Sequence, residues 1–204
     1  MEKDNIVITS IKMIDTYLSK KDLKIINYDN RSFDIENLCG ERITEICDIE
    51  YLQSLYGDNE YIILLCVNSK DEVLALFVGT IELDENLLES TYTCARKISG
   101  IGEIMRYYGF LNIYNKYPNI KILKGSASGG IPALHDKMTK SEEDIAKDRL
   151  KKYHIKRGAS LTESIFIYTW DTILKNVVKI VDKGSKKKYK KNKKKYKKKY
   201  TKKK

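Results

Sequence analysis

The chain reads LLESTYTCARKISGIGEIMRYYGFLNIYNKY from Leu87 to Tyr117, and this stretch predicts a strand, a glycine loop and a helix in direct succession. Threonine and tyrosine residues give Leu87–Ile98 the β propensity of a strand. Apolar residues recur at helical spacing over a wide arc of Glu103–Tyr117, which predicts a well-buried helix. Gly109 costs this helix about 1 kcal/mol relative to alanine, so we expect it to mark close packing against a neighbouring element.

The loop between the predicted strand and helix contains two glycines, Gly100 and Gly102. Such a loop presents successive backbone N–H groups at a helix N-terminus, where they and the positive end of the helix dipole favour an anion. Arg96 and Lys97 add positive charge, and the glycines would let the backbone approach a phosphate closely. A lone G-x-G is also found in ordinary strand-to-helix turns, so both interpretations stay open on this motif alone.

The segments before this stretch predict helices followed by a hairpin. We expect a short strand and then a helix in Asn5–Leu18, and a strand in Leu23–Tyr28. An apolar stripe with a period near three predicts one or two amphipathic helices in Asp34–Tyr56. A polar turn is flanked by two runs rich in apolar residues, Glu60–Val67 and Glu72–Leu83. This arrangement predicts a two-stranded hairpin.

The segments after this stretch alternate between strands and helices. We expect a short strand at Ile120–Lys124, a helix at Ile131–Met138, a charged helix from Ser141 to about Lys156, a strand at Ser164–Trp170 and a short helix at Asp171–Val181. The element order predicts a mixed α/β fold with an antiparallel start and a parallel βαβ unit.

The arrangement Lys97-Ile-Ser-Gly100-Ile-Gly102, after a strand and before a helix, resembles the Arg/Gln-x-x-Gly-x-Gly/Ala pyrophosphate loop of the GNAT N-acetyltransferase superfamily. Lys97 stands where that family usually has Arg or Gln. The predicted element order over Glu60–Trp170 is also similar to that of the family, and this span covers over half of the chain.

A second resemblance to the family lies near the end of the charged helix. The segment Tyr153-His-Ile-Lys-Arg-Gly158-Ala159 resembles the family's Tyr-x-x-x-Gly-Phe segment. The chain departs from that pattern because Tyr153 lies five residues before Gly158 and Ala159 replaces Phe.

The resemblance implies a GNAT-like acyl-CoA N-acyltransferase fold, whose splayed mixed sheet holds acetyl-CoA between two diverging strands. The loop amides would bind the pyrophosphate, and the strand before the loop would pair with the pantetheine. The residues that the resemblance assigns to the cofactor are Thr93, Cys94, Ala95, Arg96, Lys97, Ile98, Ser99, Gly100, Ile101 and Gly102.

The resemblance also implies that an amine attacks the acetyl thioester directly, with the help of a base and an acid. Glu89 on the motif strand is the candidate base, and Glu82 on the preceding strand is the alternative. Tyr153 is the candidate acid, and His135 competes for that role. A structural role stays open for each of them, as exposed strand acids or a core or surface tyrosine, and no motif identifies the acceptor amine.

The formal net charge of +11 is unevenly distributed along the 204 residues. Lys183–Lys204 contains 15 lysines and no acidic residue, which leaves 24 basic and 28 acidic residues, a net charge of −4, in residues 1–182. We therefore expect one domain in residues 1–182 and a disordered tail in residues 183–204. The tail suits nucleic acid or another polyanion, and an extension without a role is the open alternative.

Cysteine usage and hydropathy predict an intracellular protein. The four cysteines form no C-x-x-C pair, and we expect buried free thiols in preference to zinc ligands or disulfides. No apolar run reaches the ~18 residues of a membrane span, and the N-terminus leads into no secretory signal. We expect the cytoplasm, the nucleus or a virion, and the richness in Lys, Ile, Asn and Tyr resembles that of giant DNA virus or apicomplexan proteins.

Overall fold

The structure of the chain is a computed structural model, and it describes residues 2–39, 48–95, 98, 100–126, 140–163 and 165–182. The helices are α1 (Glu2–Ser19), α2 (Ile35–Cys39), α3 (Ile49–Ser54), α4 (Ile101–Lys116), α5 (Lys140–Lys156) and α6 (residues 170–182). The strands are β1 (Leu23–Asn27), β2 (Tyr61–Asn68), β3 (Val73–Glu82), β4 (Leu87–Ala95), β5 (Ile122–Ser126), β6 (Ser160–Thr162) and β7 (Ile165–Thr169). Within these ranges, every helix is too short or too polar to span a bilayer.

The seven strands form one sheet in the order β1-β2-β3-β4-β5-β7-β6. All neighbouring strands are antiparallel except β4 and β5, which are parallel. A parallel pair needs a crossover connection, and α4 lies in the connection between β4 and β5. The predicted mixed α/β fold with an antiparallel start and a parallel unit is therefore confirmed.

Helices cover both faces of the sheet. Residues 62–67 of β2 are all buried, as expected for a strand that is covered on two sides. On one face, α1 and α4 pack in a cluster that includes Leu64 and Phe77. On the other face, α2 and α3 pack in a cluster that includes Leu65 and Leu76.

The short strand predicted at the start of Asn5–Leu18 is wrong, because the whole segment lies in α1. Val7 and Ile14, seven residues apart and therefore on one side of the helix, are both buried. Ile6 and Ile8 are each 43% exposed. They lengthen the apolar run around Val7 and so imitate a strand in the sequence.

The one or two helices predicted in Asp34–Tyr56 correspond to α2 and α3. The backbone N–H of Tyr51 donates to the Asp48 carboxylate at 2.6 Å, which caps the start of α3. The break predicted at Gly40 lies outside the described residues.

α4 begins at Ile101, two residues before the predicted start, and packs on β3 and β4. A Cβ atom on Gly109 would lie 2.6 Å from Cε1 of Phe77 on β3. The glycine therefore permits a close approach of helix and strand, and the predicted close packing is confirmed.

The C-terminal part of the chain differs from the prediction at two points. α5 begins at Lys140, one residue before the predicted start at Ser141, and the chain turns at Gly158, whose φ of 82° suits glycine. The sequence pattern does not predict β6, because Ser160–Thr162 is only three residues long and mostly polar. The predicted last strand and last helix agree with β7 and α6, and the helix predicted at Ile131–Met138 lies outside the described residues.

Two of the four cysteines form a disulfide, so the prediction of free thiols is wrong for Cys39 and Cys94. Their Cα atoms lie 5.1 Å apart, at the end of α2 and near the end of β4. The pair is 55 residues apart in sequence, and spacing alone carries no information about which elements meet. Cys66 is free and buried, as predicted, and burial raises the pKa of its thiol to about 11. Cys47 lies outside the described residues.

Candidate active site at the fork of the sheet

β4 and β5 pair over only four residues and then part. Their parallel register runs from Leu87 opposite Ile122 to Ser90 opposite Gly125. Beyond Ser90, β4 remains paired with β3 as far as Ala95, while β5 remains paired with β7. Beyond Ser90, the edge of β4 on the side of β5 therefore has no paired strand among the described residues, and we call this opening between β4 and β5 the fork.

A β-bulge bends β4 at the fork. Tyr92 lies opposite Val78 and Ser90 lies opposite Gly79, so Thr91 is an extra residue in β4. The Ser90 and Thr93 hydroxyls lie 3.3 Å apart although they are three residues apart. The bulge therefore places two hydroxyl groups beside the opening of the sheet.

The first turn of α4 lies next to β4. Gly100 is the N-cap with a φ of 84°, a left-handed conformation that favours glycine, and no side chain caps the helix there. A Cβ atom on Gly102 would lie 3.1 Å from Cγ2 of Thr93, so this glycine lets the helix approach the strand. The N–H of Ile101 donates to the Ile98 carbonyl at 3.3 Å, and the next N–H groups of the first turn, which have no acceptor within the helix, favour an anion. Of the predicted cofactor residues, Arg96, Lys97 and Ser99 lie outside the described part of the chain.

The structure brings the two base candidates together. Glu89 lies on β4 opposite Lys124 of β5, and its Oε2 lies 3.6 Å from Nζ of that lysine. Desolvation raises the pKa of the Glu82 carboxyl above its ordinary value, and a hydrogen bond to Glu89 acts in the same direction. Glu82, Glu89 and Lys124 therefore form one cluster, which we call the carboxylate cluster.

The carboxylate cluster and α4 lie on opposite faces of the sheet. Leu88 and Leu123 are buried on the face that α4 covers. Glu89 and Lys124 each follow one of these residues and therefore point to the other face.

Tyr153, the candidate acid, reaches the first turn of α4. Its hydroxyl donates to Oε2 of Glu103 at 2.7 Å, and Nε of Arg157 donates to Oε1 of the same carboxylate. Cζ of Arg157 lies 3.6 Å from the centre of the Tyr153 ring. Burial raises the pKa of Tyr153, and its bond to Glu103 raises it further. His135, the alternative acid, lies outside the described residues.

A buried polar network extends from Glu103, which is itself 4% exposed. The Tyr107 hydroxyl donates to Oε1 of Glu103 at 3.0 Å and accepts from the Asn176 amide at 3.0 Å. Nδ1 of His154 lies 2.9 Å from the Tyr168 hydroxyl. The imidazole of His154 stacks on a phenyl ring, and burial, followed by the nearby arginines, lowers its pKa to about 3. His154 is therefore neutral at physiological pH.

Three residues of the candidate site were not predicted from the sequence, namely Glu103, Arg106 and His154. Glu103 and Arg106 are charged residues inside an otherwise apolar helix, and this contrast is the signal that could have found them. His154, rather than Tyr153, lies four residues before Gly158, which is the spacing expected from the family segment.

No protein-family profile and no curated protein matches the sequence. Solved structures match it by fold. The structure of AtaTR bound with AcCoA has a TM-score of 0.51 at 12% identity, over 75% of this chain and 96% of that one. The KacTA–DNA complex has a TM-score of 0.53 at 16% identity, over 77% of this chain and 99% of that one. AtaT complexed with acetyl-methionyl-tRNAfMet has a TM-score of 0.50 at 10% identity, over 74% of this chain and 97% of that one.

The seven-stranded mixed sheet and these likenesses confirm the predicted GNAT-like fold.

Proposed function

We propose that the chain is an N-acetyltransferase that uses acetyl-CoA. The observation that carries this proposal is the fork, because β4 leaves β5 at Ser90 and runs on to the glycine loop at the start of α4. A strand with a free edge can pair with pantetheine, and a helix N-terminus with two glycines can bind a pyrophosphate. A similar structure that was solved with AcCoA supports the same cofactor.

In the proposed reaction, an amine nitrogen attacks the carbonyl carbon of the thioester. The C–N bond forms, the C–S bond breaks with its electron pair moving to sulfur, and a base takes a proton from the amine. We assign the base to Glu89, with Glu82 as its partner in the carboxylate cluster. Tyr153, the acid candidate from the sequence, lies on the opposite face of the sheet beside α4, so the amine and the coenzyme would approach the fork from different faces.

The test is the variant Gly100→Asp, measured by calorimetric titration with acetyl-CoA. Aspartate, like asparagine, tolerates the left-handed backbone better than most side chains, and its charge complements the helix N-terminus, so we expect stability to be maintained. The same charge would repel a pyrophosphate, and we expect affinity for acetyl-CoA to fall at least 10-fold, about 1.4 kcal/mol.

Two variants control this experiment. Gly100→Asn introduces a side chain of the same shape without the charge and should weaken binding less. Gly57→Asp places an aspartate at another positive-φ glycine with open space around it, and it should leave binding unchanged. Absence of acetyl-CoA binding at millimolar concentration in the unaltered protein would reject the proposed function.

A second candidate function is a catalytically inactive GNAT-like protein that binds nucleic acid or another polyanion. The observation that favours it is the composition of residues 183–204, where 15 lysines are interspersed with tyrosines. Lysines displace counterions from phosphates, and tyrosines stack on unpaired bases. Among the similar structures, one contains DNA and another contains acetyl-methionyl-tRNAfMet. We expect salt-sensitive binding that is lost on removal of residues 183–204.

A further inference from the structure

Arg106 lies on the side of α4 that faces the sheet. It follows Gly102 by four residues and precedes Gly109 by three, so the three positions share one side of the helix. Gly102 approaches Thr93 of β4, and Gly109 approaches Phe77 of β3. A charged side chain therefore occupies a helix position between two close contacts with the sheet.

The guanidinium of Arg106 lies at the base of the fork. Its Cζ is 5.8 Å from the centre of the Phe166 ring on β7. That ring fills the space beside Gly125, where a Cβ atom would lie only 2.5 Å from Cζ of Phe166. Gly125 is opposite Ser90 in the last pair before β4 and β5 part. The guanidinium of Arg106 therefore lies near the point where the pairing of β4 with β5 ends.

Arg106 has an unused hydrogen-bond donor. Among the described residues, its buried Nε has no hydrogen-bond partner, and no ion pair joins Arg106 to any of them. The nearest carboxylate along the helix, Glu103, is already occupied by Tyr107, Tyr153 and Arg157. A buried donor on a cation is costly unless an anion or acceptor satisfies it, which points to a bound ligand as the missing partner.

The other groups on this face are poorly suited to protonate a leaving thiolate. The Tyr153 hydroxyl already donates to Glu103, and burial raises its pKa. His154 is 2% exposed, and its Nδ1 bonds to the Tyr168 hydroxyl. A thiolate can also leave without a proton if a fixed positive charge stabilises it.

We propose that Arg106 is the anion-stabilising residue of the fork and that its guanidinium holds the thiolate of coenzyme A as the acyl group is transferred. This inference rests on the proposed function. The C–S electron pair goes to sulfur, the amine proton goes to the carboxylate cluster, and Arg106 remains protonated throughout. The proton is released from the cluster to solvent after the product leaves.

The test needs no acceptor amine, because it uses free coenzyme A and follows the ultraviolet absorbance of its thiolate as the pH is raised. In the complex with the unaltered protein, an adjacent cation should lower the pKa of the bound thiol by about one to three units relative to coenzyme A in solution. We expect Arg106→Gln to abolish this shift and Arg106→Lys to retain part of it. Arg149→Gln removes an exposed arginine of α5 and should leave the shift unchanged.

The outcomes separate this inference from the proposed function. If neither coenzyme A nor acetyl-CoA binds the unaltered protein, both are overturned. If coenzyme A binds with an unshifted thiol pKa, or if the shift persists in Arg106→Gln, the role of Arg106 is overturned and the proposed function stands. If Arg106→Gln does not fold, an unshifted thiol pKa in the unaltered protein still overturns the role of Arg106, and an undiminished shift in Arg106→Lys does so as well.

Discussion

At the scale of single residues, Glu103 joins the elements around the fork. Its buried carboxylate on α4 accepts hydrogen bonds from side chains on α4 and α5 and from Arg157, which follows α5. Asn176 of α6 joins the same network by donating to Tyr107 and to the Arg157 carbonyl. Loss of one partner of a buried ion pair costs about 3–5 kcal/mol, because the remaining charge is left uncompensated. The carboxylate therefore holds three helices in a fixed position around the glycine loop.

A second residue, His154, makes stability depend on pH. Its pKa is about 3 in the folded chain and 6.5 in an unfolded one, so the unfolded chain binds the proton first as the pH falls. Above pH 6.5, the free energy of unfolding should not depend on this group. Below pH 6.5, it should decrease by about 1.4 kcal/mol for each pH unit until the pH nears 3. Urea unfolding at a series of pH values measures this slope.

The variant His154→Phe isolates that contribution. Phenylalanine preserves the aromatic stack on Phe166, whose ring centre lies 3.9 Å from that of the histidine, but it cannot titrate. We expect the difference in unfolding free energy between the two proteins to change with pH below 6.5 and to be constant above it. A His135→Gln variant, which alters the other histidine of the chain, should retain the slope. An equal slope in His154→Phe would contradict the assignment.

At the scale of elements, β4 carries most of the candidate site. It supplies Glu89 before the bulge, the Ser90 and Thr93 hydroxyls beside it, and the approach to Gly102 after it. Near its C-terminal end, the strand is covalently linked to α2 by the Cys39–Cys94 disulfide. β3 therefore fixes one edge of the strand over its whole length, whereas β5 pairs with the other edge only as far as Ser90 among the described residues.

The disulfide predicts a redox-dependent stability. A cross-link between residues 55 apart removes conformational entropy from the unfolded chain, and the chain-entropy model gives about 4 kcal/mol for a loop of this length. We expect a reductant to lower the urea midpoint of the protein accordingly. The double variant Cys39→Ser, Cys94→Ser should start at the lower midpoint and should not respond to the reductant. A thiol count under denaturing conditions that does not rise by two on reduction would show that the disulfide is absent.

At the scale of the whole molecule, charge and fold are separated along the chain. Residues 1–182 have a net charge of −4 and contain all the helices and strands that the structure describes, whereas residues 183–204 carry 15 lysines. The fork and the carboxylate cluster lie in the first part. The proposed chemistry and the proposed binding of polyanions therefore depend on different segments.

Removal of residues 183–204 tests this separation. We expect the shortened chain to bind acetyl-CoA as tightly as the full chain, because no fork residue is lost. Binding to single-stranded DNA or RNA should disappear. For the full chain, contact of about six lysines with phosphates of a single strand would lower the affinity roughly 300-fold between ~50 and ~200 mM salt. Equal nucleic-acid binding by both chains would refute a role for the tail.

The local elements followed from the sequence because their signals lie within a few neighbouring residues. The hairpin of β2 and β3, the strand–glycine loop–helix unit and the close packing at Gly109 are all encoded by apolar spacing and by glycine placement. α1 was predicted incorrectly at its start, since exposed Ile6 and Ile8 imitate a strand and only packing shows which side of the segment is buried.

Composition and periodicity by themselves determined the mixed α/β order, the glycine loop and the polybasic tail. The tertiary structure alone decided where β4 leaves β5, which side chains satisfy Glu103 and that Nε of Arg106 has no hydrogen-bond partner among the described residues. The reason is physical: strand and helix periods repeat over two to four residues, whereas these contacts join residues 35 to 54 positions apart, such as Ser90 with Gly125 and Glu103 with Arg157. Contacts at that range are fixed by how the elements pack, and no local pattern in the sequence records them.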